Sequence, residues 1–406
     1  MRTPPRGQLE YHLLVLVTLG LVAFGLVMVY SATSARAVVD QGDPAYYLKR
    51  ESIYALLGLA ALVVCARFDY RALRYAGGPL LAVAFFFLLA VLAVGTAVNG
   101  ARRWLPLGFF DFQPSELAKL ALAIWIATVL ARRWPPQTLA ELLRPIGLVV
   151  CLAFALILVE PDLGTVIAVA IMVGAMLVVS GTPFRVFGSA SAIVGILAVA
   201  AIWLEPYRRT RLLSFLDPWS DPQGAGFQVV QATISLGSGG LFGRGLGESI
   251  GKVNYLPEAH TDMLFAVIGE ELGLVGGALV IAAFAVFGYA GFNVALRCRD
   301  PFGKRLAVGL TALVLGQAVV NLCAVMGIAP LTGIPLPFVS YGGSSMIVSL
   351  ASVGVLLNIA VNHAAQVAAN KVPDRGRRHR GTRAAVARDR GGPEREGRRR
   401  HVRGVA

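Results

Sequence analysis

Long apolar runs recur along almost the whole of this chain, and they leave it few ways to fold. They lie near residues 11–30, 52–65, 79–98, 117–131, 146–160, 165–181, 189–204, 263–292, 306–328 and 344–362. Half of them reach the ~20 residues needed to cross a hydrocarbon core about 30 Å thick. In lipid every backbone polar group must be satisfied within the segment, so each run predicts a helix. The second, fourth and fifth runs, at roughly 15 residues, require flanking residues, snorkelling or local bilayer thinning to span. A hydrophobic fraction of 56%, with only 15% charged residues, excludes a soluble domain of 406 residues. The expected fold is an all-α polytopic membrane protein of about ten transmembrane helices.

Ten crossings place both termini on one side, and basic residues indicate which. Short loops on one side carry Arg67, Arg71, Arg74, Arg132, Arg133, Arg144, Arg185, Arg297, Arg299, Lys304 and Arg305; short loops on the other carry Arg36, Lys49, Arg50, Arg102 and Arg103. The first side is therefore expected to be cytoplasmic. Residues 1–10 form a cytoplasmic N-terminus, 11–365 the membrane domain, and about 205–262 a large extracellular loop between helices 7 and 8. The first apolar run lacks a small-residue cleavage pattern and is expected to remain as an anchor.

The net charge of +14 is mostly a property of the C-terminus, where 13 basic residues face 4 acidic ones from Lys371 onward. Residues 366–406, rich in Arg and Gly, are expected to be a disordered cytoplasmic tail lying on anionic lipid, and nucleic acid is not an expected partner. The four cysteines lack paired spacing, so neither a disulfide framework nor a zinc site is indicated. The chain has no Gly-rich loop ending in Lys-Ser/Thr, which argues against an ATP-driven pump.

Four polar clusters interrupt the apolar body. The first joins Gly100-Ala101-Arg102-Arg103-Trp104 to Gln113-Pro114-Ser115-Glu116-Leu117-Ala118-Lys119. Pro114 suits a first helical turn, and Glu116 and Lys119 share a face. A charge one turn inside a membrane helix costs about 2.5–3.5 kcal/mol unless paired or facing water, so Lys119 is expected to line a cavity. The second cluster, Glu160-Pro161-Asp162-Leu163-Gly164-Thr165, is a tight turn, equally compatible with a plain helical hairpin and with the polar wall of a cavity.

The third cluster opens with a Gly-rich run over 237–247, expected to be a flexible outer loop, and continues to Leu256-Pro257-Glu258-Ala259-His260-Thr261-Asp262. Two acids and an imidazole at the edge of the apolar run from Met263 point to chemistry on a lipid-borne substrate at the membrane surface. Glu270 and Glu271 follow, as buried hydrogen-bonding partners or as holders of loop basic residues. The fourth cluster, Thr332 to Ser345 with Ser340, bends repeatedly and presents hydroxyls. Gln317 and Asn321, four apart on the preceding helix, are placed to hydrogen-bond it.

Taken in order, these motifs closely resemble the SEDS family of bacterial cell-wall polymerases, over about residues 10–365. Ala259 resembles the division branch, because elongation-type members tend to have Arg there. Glu160 departs from the Gln found in many relatives, and the Arg-rich tail lies outside the resemblance. The family implies a peptidoglycan glycosyltransferase that joins lipid II into glycan strands at the outer face of the cytoplasmic membrane. Such transfer needs a base for the acceptor 4-hydroxyl and cations for the departing undecaprenyl pyrophosphate, while inversion can proceed with a single carboxylate.

Asp262 matches the family's essential aspartate and is the expected base. Arg103, Lys119 and Lys252 are candidates to stabilise the pyrophosphate, with Glu116 orienting Lys119. Asp162, Glu258, His260, Thr261 and Ser340 would shape the site. No cofactor is required by this scheme; a divalent cation, Mg or Mn, is compatible with it, but no ligand set of convincing spacing is visible. The family further implies a class B penicillin-binding protein (an FtsI-like transpeptidase) and other divisome proteins as partners. A lipid II flippase and a non-catalytic divisome scaffold are the competing functions.

Overall fold

The computed structural model describes residues 8–371 except 99–100, 107, 109, 134, 205 and 253–255. Contacts divide the chain into units of residues 1–364 and 365–406. Of the second unit only helical backbone to Lys371 is described, so most of the expected tail lies outside the described residues.

The helices, in order, are α1 (Gln8–Gln41), α2 (Tyr46–Arg67), α3 (Leu73–Val94), α4 (Pro114–Arg132), α5 (Leu139–Leu142), α6 (Leu148–Val159), α7 (Leu163–Ser180) and α8 (Phe184–Leu204). They continue with α9 (Pro206–Leu216), α10 (Phe227–Ser238), α11 (Leu264–Arg297), α12 (Pro301–Val325) and α13 (Gly343–Lys371). A small antiparallel sheet of β1 (Thr96–Val98), β2 (Ala101–Pro106) and β3 (Asp111–Phe112) joins α3 to α4.

Among the described residues nine helical runs are long and apolar enough to cross a membrane, with α5 and α6 forming one run over Leu139–Val159. The tenth expected span is α2, which has 22 residues but carries Lys49, Arg50 and Glu51 near its start. The three short apolar runs gain their length from flanking residues: α4 begins at Pro114, and Glu116 and Lys119 are drawn into its helix.

Local signals set the helix starts. Pro114 and Pro301 occupy first turns, where a missing N–H is harmless. Asp162 and Asp300 cap α7 and α12 by accepting from Thr165 N and Gly303 N. Helix α12 lies at the centre, packed against α7, α11 and α4. With little hydrophobic drive between helices in lipid, close packing of small residues holds such a bundle.

The connection over 205–262 contains the helices α9 and α10, and its Gly-rich run is tied by backbone bonds to α11. Gly273 interrupts α11 with φ 67° and ψ −163°, which breaks helical bonds around it. Leu274 N and Val275 N donate instead to Gly240 O and Leu241 O, while Glu270 O and Glu271 O accept from Arg244 N and Gly245 N. The run thus replaces the lost helical bonds with backbone groups of its own. A Cβ at Gly273 would lie 2.4 Å from Gly243 N, so side chains are excluded at this junction. Gly273→Ala is expected to destabilise the fold by more than about 2 kcal/mol. A lowered thermal midpoint of the detergent-solubilised protein is the corresponding readout; an unchanged midpoint contradicts this account of the kink.

Candidate functional site

Alternating helix directions bring the four polar clusters to one end of the bundle. At its centre the segment 256–263 turns tightly: Leu256 N bonds Gly251 O, and Thr261 N and Met263 N both donate to Glu258 O. Glu258 adopts φ 54°, a left-handed conformation costly for a residue with a side chain. Thr261 Oγ1 lies 3.1 Å from Glu258 Oε2 and 3.3 Å from Asp262 Oδ1, so one hydroxyl links the two carboxylates. Asn321 Nδ2 fixes the backbone, donating to Asp262 O at 2.7 Å and Ile334 O at 2.8 Å. Gly333, with φ 72°, faces the acid: a Cβ there would stand 4.0 Å from Asp262 Oδ2. Asp262 is half-buried.

The fourth cluster closes over this segment. Tyr341 N donates to His260 O, and the His260 ring lies 5.1 Å from the Tyr47 ring and 5.5 Å from that of Tyr341. Ser340 is buried and structural in its contacts: its Oγ accepts from Leu336 N, stapling the turn 336–340. Gln113 joins the first, second and fourth clusters, donating from its backbone to Ser344 Oγ and from its amide to Asp162 Oδ2. Asp162 also accepts from the Thr165 hydroxyl, so it holds the start of α7 on two sides.

The three expected phosphate-binding cations have different surroundings. Lys119, placed by sequence reasoning at a cavity, is 1% exposed and bonds Glu116 Oε1 at 2.8 Å. Lys252 is also buried; its ammonium meets Glu271 Oε1 at 2.8 Å, Gly247 O and Ser31 Oγ. Arg103 is half-buried and binds carbonyl oxygens, those of Glu160 and Pro161, so its charge is not neutralised by these contacts. Glu271 holds a loop cation, and Glu270 accepts from Ser249 Oγ, Ile250 N and Gly251 N. Asn321 bonds the fourth cluster as its spacing suggests, whereas Gln317 Nε2 has no partner.

Glu160 is fully buried, and neither carboxylate oxygen has a hydrogen-bond partner. Burial and the nearby Asp162 push its carboxyl up to about 8, against the opposing pull of Arg103. A raised acid stabilises the fold fully below the ordinary carboxyl range, near 4.5, and loses that contribution as pH rises through about 8. Glu160→Gln removes this dependence. The variant is expected to gain thermal stability relative to the parent as pH rises from 5 to 8, by a few degrees at the upper end; parallel profiles contradict it.

Sequence reasoning missed Tyr47, Ser31 and Glu51. The last accepts weakly from Gly342 N, and its position, a charge just inside the long helix α2, is the kind of signal that singled out Lys119. Among the described residues no group of three or more His, Cys, Asp or Glu side chains is placed to hold a metal ion. The arrangement offers a half-buried carboxylate with a rigid backbone, a carbonyl-anchored guanidinium nearby in the bundle end, and an unusually protonatable second acid.

Comparisons with known proteins agree on the relatives of this chain. The FtsW/RodA/SpoVE cell cycle protein profile matches residues 11–365. The chain is 41% identical to a peptidoglycan glycosyltransferase FtsW of Geobacter metallireducens over 86% of its length and 95% of that protein's. It is 40% identical to the FtsW of Mycobacterium tuberculosis, over 90% and 70% respectively. A chain of a peptidoglycan synthase complex that coordinates polymerization and crosslinking superposes with a TM-score of 0.72 at 34% identity, covering 86% of this chain and 97% of that one. The rod shape determining protein RodA of Thermus thermophilus gives a TM-score of 0.65 at 30% identity, covering 86% and 96%.

Proposed function

The chain belongs to the FtsW/RodA/SpoVE family of cell cycle proteins, and on that premise we propose that it is a peptidoglycan glycosyltransferase of the bacterial cytoplasmic membrane. It joins lipid II units into glycan strands at the outer face, during division. The orientation is supported by charge: Arg67, Arg132, Arg185, Arg297 and Lys304 all fall at helix ends remote from Asp262. The observation that carries the mechanism is the fixing of Asp262 between Asn321, Thr261 and Gly333, where the third and fourth clusters meet.

In this reading Asp262 takes the proton of the acceptor 4-hydroxyl as its oxygen attacks the donor anomeric carbon. The bond from that carbon to phosphate breaks, and undecaprenyl pyrophosphate departs carrying the electron pair. Arg103 is the cation best placed to meet the new charge, since its own contacts are carbonyls. Glu116 orients Lys119, while Lys252 tethers the 247–252 segment to α1 and α11 through Ser31 and Glu271. Asp162 and Ser340 hold the turns around them.

A class B penicillin-binding protein is the proposed partner, supported by similarity to a chain of a peptidoglycan synthase complex. Exposed Leu274, Val275 and Leu279 on α11, with Met326 and Ile328 just past α12, offer it an apolar surface at the outer ends of these helices. The functional test supplies purified protein, its partner and lipid II in detergent. Glycan strands are expected; lipid II translocation in sealed vesicles without strand formation would instead identify a transporter.

A further inference from the structure

A cavity of about 210 Å³ is lined in part by the segment that leads into Asp262. Its walls include Ala32 and Thr33 of α1, Tyr47 of α2, and Lys252, Ala259 and His260 of the outer segment. It falls short of the ~300 Å³ at the lower end of ordinary ligand pockets, and therefore suits one small ring rather than a disaccharide.

The chemistry of the walls narrows the occupant. Lys252 is its fixed cation, but Glu271 neutralises it at 2.8 Å and two further oxygens occupy its donors. An anion entering here would meet an already balanced charge, which disfavours a phosphate or pyrophosphate. The Tyr47 ring and the imidazole of His260 are 5.1 Å apart and tilted by 53°, giving an aromatic wall with a polar edge. Ala32 and Ala259 add small apolar surfaces. Aromatic faces accept the C–H faces of a sugar, and small apolar walls accept an acetyl methyl group.

The walls are also rigid. Tyr341 N holds His260 O, and the Lys252 contacts tie the loop to two helices. Preorganisation of this kind reduces the ordering cost of binding. His260 lies two residues before Asp262, so an occupant of the cavity is connected to the proposed base through one short, tightly turned segment.

We infer that this cavity seats one uncharged N-acetylhexosamine ring of the substrate, neighbouring the ring that reacts at Asp262. The inference rests on the glycosyltransferase reading and adds a sugar subsite to it. Tyr47 supplies the stacking face, and Ala259 leaves the room that the ring fills.

The test combines kinetics with direct binding. Ala259→Phe fills the cavity and Tyr47→Ala removes its platform. Each is expected to raise KM for lipid II about tenfold while kcat stays within about twofold. Tyr47→Phe retains the ring and is expected to keep the parental KM, a rescue that separates stacking from a loss of local structure.

Binding of N,N′,N″-triacetylchitotriose to the Asp262→Asn protein, followed by saturation-transfer NMR, provides a readout that needs no turnover. Ala259→Phe in that background is expected to abolish the signal, and Tyr47→Ala does the same should the filled variant not fold. Unchanged KM in the folded variants, or chitotriose binding that survives both substitutions, overturns the subsite. Failure of the parent to make strands instead refutes the glycosyltransferase reading, while the chitotriose comparison still decides the cavity.

Discussion

Asp262→Asn is expected to reduce glycan-strand formation by about 10²–10⁴-fold, the range for loss of a general base. The substitution is nearly isosteric, and the bond from Asn321 goes to the backbone carbonyl of residue 262, which the amide variant retains. Thr261 can still donate to the new side-chain oxygen. Membrane insertion, thermal midpoint and KM for lipid II are therefore expected to stay near the parental values while kcat falls. A drop in kcat with unchanged KM is the signature of an interaction used in the transition state. Near-parental strand synthesis by the folded variant removes Asp262 from the proton transfer.

The second large effect concerns the buried pair Glu116–Lys119. Both side chains are almost completely withdrawn from solvent and meet at 2.8 Å. Lys119→Met strands a buried carboxylate and is expected to destabilise the protein by about 3–5 kcal/mol. Adding Glu116→Gln removes the stranded charge, so the double variant is expected to recover most of the lost thermal stability. Its activity separates a structural pair from a functional one. In the proposed site Glu116 orients Lys119, whose charge is held one turn inside α4. The double variant is therefore expected to fold yet polymerise about 10²–10³-fold more slowly, the scale of losing one preorganised electrostatic contact. Parental rates in the double variant confine the pair to a structural role.

The spanning helices were legible because lipid leaves an apolar helix as the only simple solution for each run, and each expected run has a helical counterpart. Their ends were less legible: α2 and α4 draw charged residues into the helix, which an apolar-run criterion truncates. Helices α9 and α10 escaped because short amphipathic segments lack that signal. The contacts of the Gly-rich run were illegible for a different reason. Its partners are backbone groups beside Gly273, and no side-chain pattern in 237–247 records an interruption in α11 some thirty residues later.

The site shows the same division. Its clusters stand out as polar residues amid apolar ones, a contrast visible without tertiary information. Their joining does not. Asn321 reaches a carbonyl 59 residues away, and His260 meets Tyr47 and Tyr341 from distant helices and loops. Lys252 illustrates how charge alone misassigns a role: sequence offers it to a pyrophosphate, while the fold places its ammonium on Glu271 and Ser31. Arg103, which sequence could not rank above the other cations, emerges as the one bound to carbonyls rather than to an acid.

The most direct test of the account is glycan-strand length after incubation of purified lipid II with this protein and its class B penicillin-binding partner, the transpeptidase of the partner being inactivated. Polymeric strands are expected from the parent and only unreacted lipid II from the folded Asp262→Asn protein, as the assignment of the base requires. Equal strand formation by both proteins, or none by the folded parent complex, contradicts it.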